Sequence, residues 1–128
     1  MTVRDSIARA RLSVPLVQAG DVTSLDFRFD ANDPTFAGHF PTHPILPGVF
    51  QLEMTRMAAE WLLNSPLALR EVRKAKFLRP ILPEEIVHVE LKLAEKDNTI
   101  EARAGFSVNG QAAGEIHLLL WRSEPRNG

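Results

Sequence analysis

The sequence predicts an α+β domain in which an antiparallel sheet wraps around one long central helix. Three observations carry this. Residues 48–63, GVFQLEMTRMAAEWLL, have the length and composition of an apolar helix. The chain beyond them alternates apolar and polar residues through at least four strand-length segments. Asn109-Gly110 separates the last two of these, the strongest short-range signal for a hairpin.

In chain order, Ser6 to Leu12 fit either a helical turn or a frayed arm, and Pro15 ends whatever precedes it. From Val22, the residues Leu25, Phe27 and Phe29 alternate with Asp26, Arg28 and Asp30, as in a half-buried strand, until DANDP breaks it. In the helix, Phe50, Met54, Met57, Ala58, Trp61 and Leu62 share a broad apolar face. Asn64-Ser65-Pro66 stops it, because a proline disfavours helix in the residue before it. VRKAKFLRPIL reads as a strand ending at a proline, and IVHVELKLAE alternates between Ile86 and Leu93. TIEARAGFSV and QAAGEIHLLLW flank the hairpin turn. The last of them ends in an apolar run expected to be buried on both faces. SEPRNG is a tail, and residues 1–128 read as one domain without repeats.

The chain has 128 residues, 45% of them apolar and 24% charged, an ordinary balance for a globular protein. A net charge of −1 argues against general nucleic-acid binding, which leaves a basic excess. No cysteine is present, so disulfides and thiolate chemistry are excluded. Arg4, Asp5, Arg9 and Arg11 stand where a secretory signal needs an apolar stretch. No apolar run approaches the roughly 20 residues that span a bilayer. A cytoplasmic location is the expectation.

The segment GHFPTHPILPGVFQLE, residues 38–53, sets two histidines among three prolines and runs directly into the helix. His39 and His43 are four apart, but Pro41 and Pro44 forbid the helix that would bring them to one metal, and no further ligand cluster accompanies them. No metal site is expected. His88 and His117 lie within strand patterns, where a structural role is the ordinary one. The helix start is unusual: Pro47 suits a first-turn position, yet no Ser, Thr, Asp or Asn stands at the cap. The first amides, around Gly48 and Val49, therefore lack an internal acceptor. Glycine at 48 lets a ligand carbonyl approach closely, and the positive end of the helix dipole favours charge developing there. Glu53 follows one turn in. By spacing it falls either in a solvated polar stripe with Arg56, Glu60 and Asn64, or in an acid–base pair with a histidine.

This segment closely resembles the active-site stretch of the hot-dog-fold 3-hydroxyacyl-acyl-carrier-protein dehydratases of the FabZ/FabA type. Gly38, His39, Phe40, Pro41, Pro44, Pro47, Gly48, Val49 and Glu53 fall in register with that pattern. VRKAKFLRPILPEE is similar to a second family segment, and the resemblance covers about residues 20–121. It implies a hot-dog fold, with His39 as the catalytic histidine and Glu53 as its acidic partner from the opposite subunit of a dimer. It also implies that the Gly48 amide binds the thioester oxygen and that the Val49 carbonyl orients His39. No cofactor is implied, since phosphopantetheine arrives on the acyl carrier protein. Thr42, Met57 and the PEE turn depart from the family pattern, and these positions bear on tunnel shape and substrate. PILPGVFQLE is also similar to dehydratases of aryl-polyene and polyketide pathways.

Arg70, Arg73, Lys74, Lys76 and Arg79 place five positive charges in ten residues against only Glu71. They form either a solvated strand edge or a landing patch for an acidic carrier protein. Two rivals to the dehydratase remain: a hot-dog thioesterase using Glu53, and a weakly active subunit that binds acyl chains or pairs with another dehydratase. A homodimer, a higher oligomer and pairing with a related subunit are all compatible with the family.

Overall fold

The computed structural model describes residues 2–12, 16–36 and 44–123. The first element is a helix, α1 (Val3–Ala10), closed at its start by a capping box. Thr2 Oγ1 accepts from the Asp5 amide at 3.1 Å, and the Asp5 carboxylate accepts from the Thr2 amide at 3.1 Å. This resolves the open reading of the N-terminal segment in favour of helix, shifted a few residues earlier than expected. A short strand β1 (Val17–Ala19) turns at Gly20-Asp21 into β2 (Val22–Arg28), and a single 3-10 turn covers Pro34–Phe36. The central helix α2 (Gly48–Leu63) follows, then β3 (Leu67–Phe77), β4 (Ile86–Lys96), β5 (Thr99–Val108) and β6 (Gln111–Arg122). The six strands form one sheet in the order β1-β2-β4-β5-β6-β3, with every neighbouring pair antiparallel.

The sheet curls around α2, which contacts β3, β4, β5 and β6. Period-2 alternation points Leu25 and Phe27, then Val87, Val89 and Leu91, then Ile100, Ala102, Ala104, Phe106 and Val108 into the core. Against them the helix buries Phe50, Met54, Met57 and Ala58, with Trp61 and Leu62 half-buried, as its wheel predicts. Gln51, Thr55 and Ala59 are buried as well, so the helix is enclosed over much more than one face. Phe27 stacks on Trp61 with ring centroids 6.3 Å apart, and Phe50 meets Phe29 edge-on at 6.0 Å.

Two strands differ from their expected positions. β1 was not expected, because three exposed residues carry no alternation. β3 starts at Leu67, well before the expected VRKAKFLRPIL, and ends before RPIL. Asn64 closes α2 in the left-handed conformation (φ 51°), and Ser65-Pro66 leads at once into the strand. Register shifts between Leu69 and Glu71 and between Val72 and Lys74 then scramble its period. The β5–β6 hairpin forms as predicted, with Asn109 (φ 51°) and Gly110 (φ 78°) both in the left-handed region that a type I′ turn requires. The expected burial on both faces holds at Leu118, Leu119 and Leu120 but not at Trp121, which is 45% exposed.

Candidate active site

His39 and His43, with Gly38, Phe40, Pro41 and Thr42, lie outside the described residues. The site is therefore built from the start of α2. Pro47 occupies the N-cap with no side-chain cap, and the Phe50 amide donates to the Pro47 carbonyl at 2.9 Å. The uncapped start expected from the sequence is present. Gly48 has the Phe77 ring against it: a Cβ there would stand 2.8 Å from the ring edge. Only glycine fits without moving Phe77, whatever it does for a ligand. Val49, in the first turn, is 58% exposed.

A cavity of about 410 Å³ opens beside this helix start, lined by Ile45, Gly48, Gln51, Phe77, Arg79 and Ile81 among others. Its walls are mostly hydrocarbon, and it is large enough for part of an acyl chain.

Glu53 lies roughly 140° around the helix from Gly48 at 100° per residue, so the two face different sides of α2. Its carboxylate takes both ends of the Arg56 guanidinium, with Arg56 Nε at 3.1 Å from Oε2 and Nη2 on Oε1. Arg56 also donates to the Leu67 carbonyl at 2.9 Å and to Glu60 at 3.3 Å. Glu60 in turn accepts from the Leu67 amide and from Arg4, each at 2.9 Å. The hydrogen bond that Arg56 donates to Glu53, together with both carboxylate charges, raises the Arg56 guanidinium above its ordinary range despite burial. The Arg56 contact expected of a polar stripe is thus real, but the stripe is not freely solvated: the Glu53 side chain is 25% exposed and that of Arg56 is 18%. It is a bound chain of charges tying α2 to the start of β3.

The five basic residues sit along and just beyond β3, at the edge of the sheet. Arg70 lies 5.0 Å from the Trp121 ring centroid, Arg73 pairs with Glu71 at 3.6 Å, and Arg79 pairs with Glu85 at 2.9 Å. Lys74 reaches Glu115 on β6 and, with the more distant Lys76, holds that carboxyl below its ordinary range. The run is less positive than it reads in sequence, because Glu85 and Glu115 are brought to it by the fold.

His88 and His117 take structural positions. His88 Nδ1 is 2.7 Å from Asp26 Oδ1 across β2 and β4, whereas His117 Nε2 is buried without a hydrogen-bond partner, with Glu101 3.6 Å away. Among the described residues, no three His, Cys, Asp or Glu side chains group as a metal site would need, and no helix is long and apolar enough to cross a membrane. Gln51 was missed from sequence. Its signal was available: a polar side chain on the side of α2 away from the Glu53–Arg56–Glu60 stripe.

A family model described as ApeI-like, ApeI dehydratase, matches residues 17–115. The 3-hydroxyacyl-[acyl-carrier-protein] dehydratase FabZ of Haemophilus influenzae (strain PittEE) is 35% identical over 100 residues, covering 71% of this chain and 68% of the relative. FabZ of Histophilus somni (strain 2336) is 38% identical over 100 residues, covering 71% and 66%. Among solved structures, the dehydratase heterocomplex ApeI:P from Xenorhabdus doucetiae aligns with TM-score 0.73 and 25% identity, over 88% of this chain and 98% of that one. A hypothetical thioesterase from Streptococcus pneumoniae, solved with coenzyme A, aligns with TM-score 0.69 over 98% and 97% of the chains. At 6% identity that likeness concerns the fold alone. The fold is the α+β hot-dog fold.

Proposed function

Because the chain belongs to the ApeI-like dehydratase family, we propose that it removes water from 3-hydroxyacyl thioesters on acyl carrier protein, giving trans-2-enoyl thioesters. In this reading residues 1–128 form one dehydratase domain acting in the cytoplasm, in fatty acid or specialised polyene or polyketide synthesis. The observation that carries the reading is the register of residues 38–53 with the family pattern, ending on the uncapped helix start at Gly48.

The reaction needs a proton taken from C2 and a hydroxide released from C3. Neutral imidazole at His39 takes the C2 proton, and the electron pair moves onto the thioester oxygen as an enolate. The Gly48 amide, at the positive end of α2, stabilises that oxygen, an effect typically worth about 2.7–4 kcal/mol per donor. The Val49 carbonyl orients the imidazole. Glu53, entering as the neutral carboxylic acid, protonates the departing C3 oxygen directly or through a bridging water, so that water leaves as the double bond forms. The reverse hydration follows the same path, and no cofactor enters.

Gly48 and Glu53 face different sides of α2, which supports a site completed by a second chain. β3 offers an open sheet edge with Leu69, Val72 and Phe77 exposed along it, a surface suited to pairing. A second copy or a related subunit serves equally, and the ApeI:P structure is itself a heterocomplex.

Incubation with a panel of 3-hydroxyacyl carrier proteins, read by loss of water in mass spectrometry, tests the proposal. His39→Ala and Glu53→Gln are each expected to reduce turnover at least a hundredfold, in keeping with one lost acid–base group, while the melting profile persists. Near-normal turnover in either variant removes that residue from the mechanism. Free acid as the product would replace dehydration by thioester hydrolysis.

A further inference from the structure

Gln51 lies one turn beyond Gly48 on α2 and lines the same cavity of about 410 Å³. The residue is 3% exposed, and its Oε1 is closed to solvent and has no hydrogen-bond partner. Buried polar groups are ordinarily paired, so an amide in this state calls for a reason.

The fold has made space for that amide. Oε1 packs against Gly114, partway along β6, where any Cβ would overlap it. A glycine inside a strand weakens the strand and often marks the close approach of another group. The other walls near it, Ile45, Leu46, Phe77 and Ile81, are apolar. Leucine or methionine at 51 would occupy a similar volume among them without burying an unpaired amide. Retaining glutamine, and glycine opposite it, sets beside this mostly apolar cavity a side chain whose Oε1 the protein itself leaves unpaired, while the other polar lining residue, Arg79, is held by Glu85.

We infer that Gln51 reads an oxygen on the acyl chain: the cavity takes acyl groups that carry a hydroxyl beyond C3, and Gln51 hydrogen-bonds to it. This deepens the dehydratase reading and rests on the acyl thioester entering at Gly48. Three residues of helix rise about 4.5 Å, roughly three to four carbon–carbon bonds along an extended chain. With the thioester carbon at Gly48, the hydroxyl that Gln51 meets belongs near C5. A half-turn of the terminal amide exchanges its NH2 and its carbonyl, so it can donate to or accept from that hydroxyl.

The test measures binding rather than turnover. The probes are stable pantetheine thioethers bearing a 3-hydroxyoctyl group, alone or with a second hydroxyl at C5, C6 or C7, titrated by calorimetry into the intact protein. Wild type is expected to bind the best dihydroxy probe at least as tightly as the monohydroxy probe. In Gln51→Leu and Gln51→Met that ratio should fall roughly fivefold or more, the size expected of one hydrogen bond, with thermal melts showing that the fold is kept. A ratio unchanged in both variants overturns the inference, as does failure of wild type to bind any probe. Water loss from 3-hydroxyoctanoyl carrier protein is followed separately. Its absence, with the binding ratio still dependent on Gln51, counts against the dehydratase reading and not against the role of Gln51.

Discussion

Arg56 decides how much freedom Glu53 has. One guanidinium serves two carboxylates and the Leu67 carbonyl at once, and its side chain is mostly out of water. A planar fork is suited to this in a way that a lysine ammonium is not. Arg56→Leu leaves Glu53, Glu60 and the Leu67 carbonyl short of donors in a half-buried place, and should cost about 1–3 kcal/mol. Arg56→Lys should cost less and fall between leucine and wild type. Urea denaturation measures both, and equal stability of the three proteins would show that the fork contributes nothing. The same residue marks the limit of reading by sequence. The i, i+3 contact of Glu53 with Arg56 is visible in spacing, because the helix fixes it. The Leu67 carbonyl is not, because it depends on how β3 returns. Lys74 with Glu115 and Arg79 with Glu85 were invisible for the same reason, and Gln51 was overlooked because Gly114, against which it packs, lies on β6, far along the chain.

Elements with one dominant periodicity were legible, and those shaped by tertiary contacts were not. α2, β4, β5 and the Asn109-Gly110 turn follow their patterns closely. β3 did not, since two irregularities in its pairing break the alternation that would announce it. α1 was ambiguous because its Thr2–Asp5 capping box precedes the apolar residues that draw the eye. Its role is a tether: Ser6 Oγ donates to Asp33 Oδ1 at 3.0 Å, and Arg9 reaches Asp33 Oδ2 at 3.0 Å. Asp33 stands just before the segment that carries His39 in sequence. Ser6→Ala removes one donor from a buried carboxylate and should destabilise the protein by about 1–3 kcal/mol, measurable as a lowered denaturation midpoint. The cap adds a pH dependence. Hydrogen bonds from the Thr2 backbone and hydroxyl lower the Asp5 carboxyl. Its contribution is complete above the unfolded carboxylate range and is lost as pH falls through the lowered folded value. Amide exchange in α1 should therefore quicken in acid before the β-sheet amides respond.

For the molecule as a whole, charge and edge coincide. The basic residues run along β3, whose backbone edge is open in the single chain, and part of their charge is already answered by Glu71, Glu85 and Glu115. If the patch receives an acidic carrier protein, Arg73→Glu with Lys74→Glu should raise KM for carrier-protein substrates several-fold, and the effect should shrink as salt is added. A short thioester lacking the carrier should be turned over unchanged. Equal losses on both substrates would assign the charges to the fold or to subunit pairing. The global arrangement itself, one helix held by a curled antiparallel sheet, was readable because a long apolar helix followed by strands has few other ways to be covered.

The strand order also has a consequence for how the chain is made. Among the described residues β3 pairs with no strand but β6, and its register runs from Leu67 opposite Arg122 to Phe77 opposite Gly114. During synthesis β3 leaves the ribosome tens of residues before the strand that will hold it. At about 5–20 residues per second the interval lasts a few seconds. Through that interval α2 has emerged without the β5–β6 hairpin that will cover it, and β3 has both edges free. The nascent chain thus passes through its most adhesive state before β6 emerges, and the arrival of β6 closes the sheet over α2.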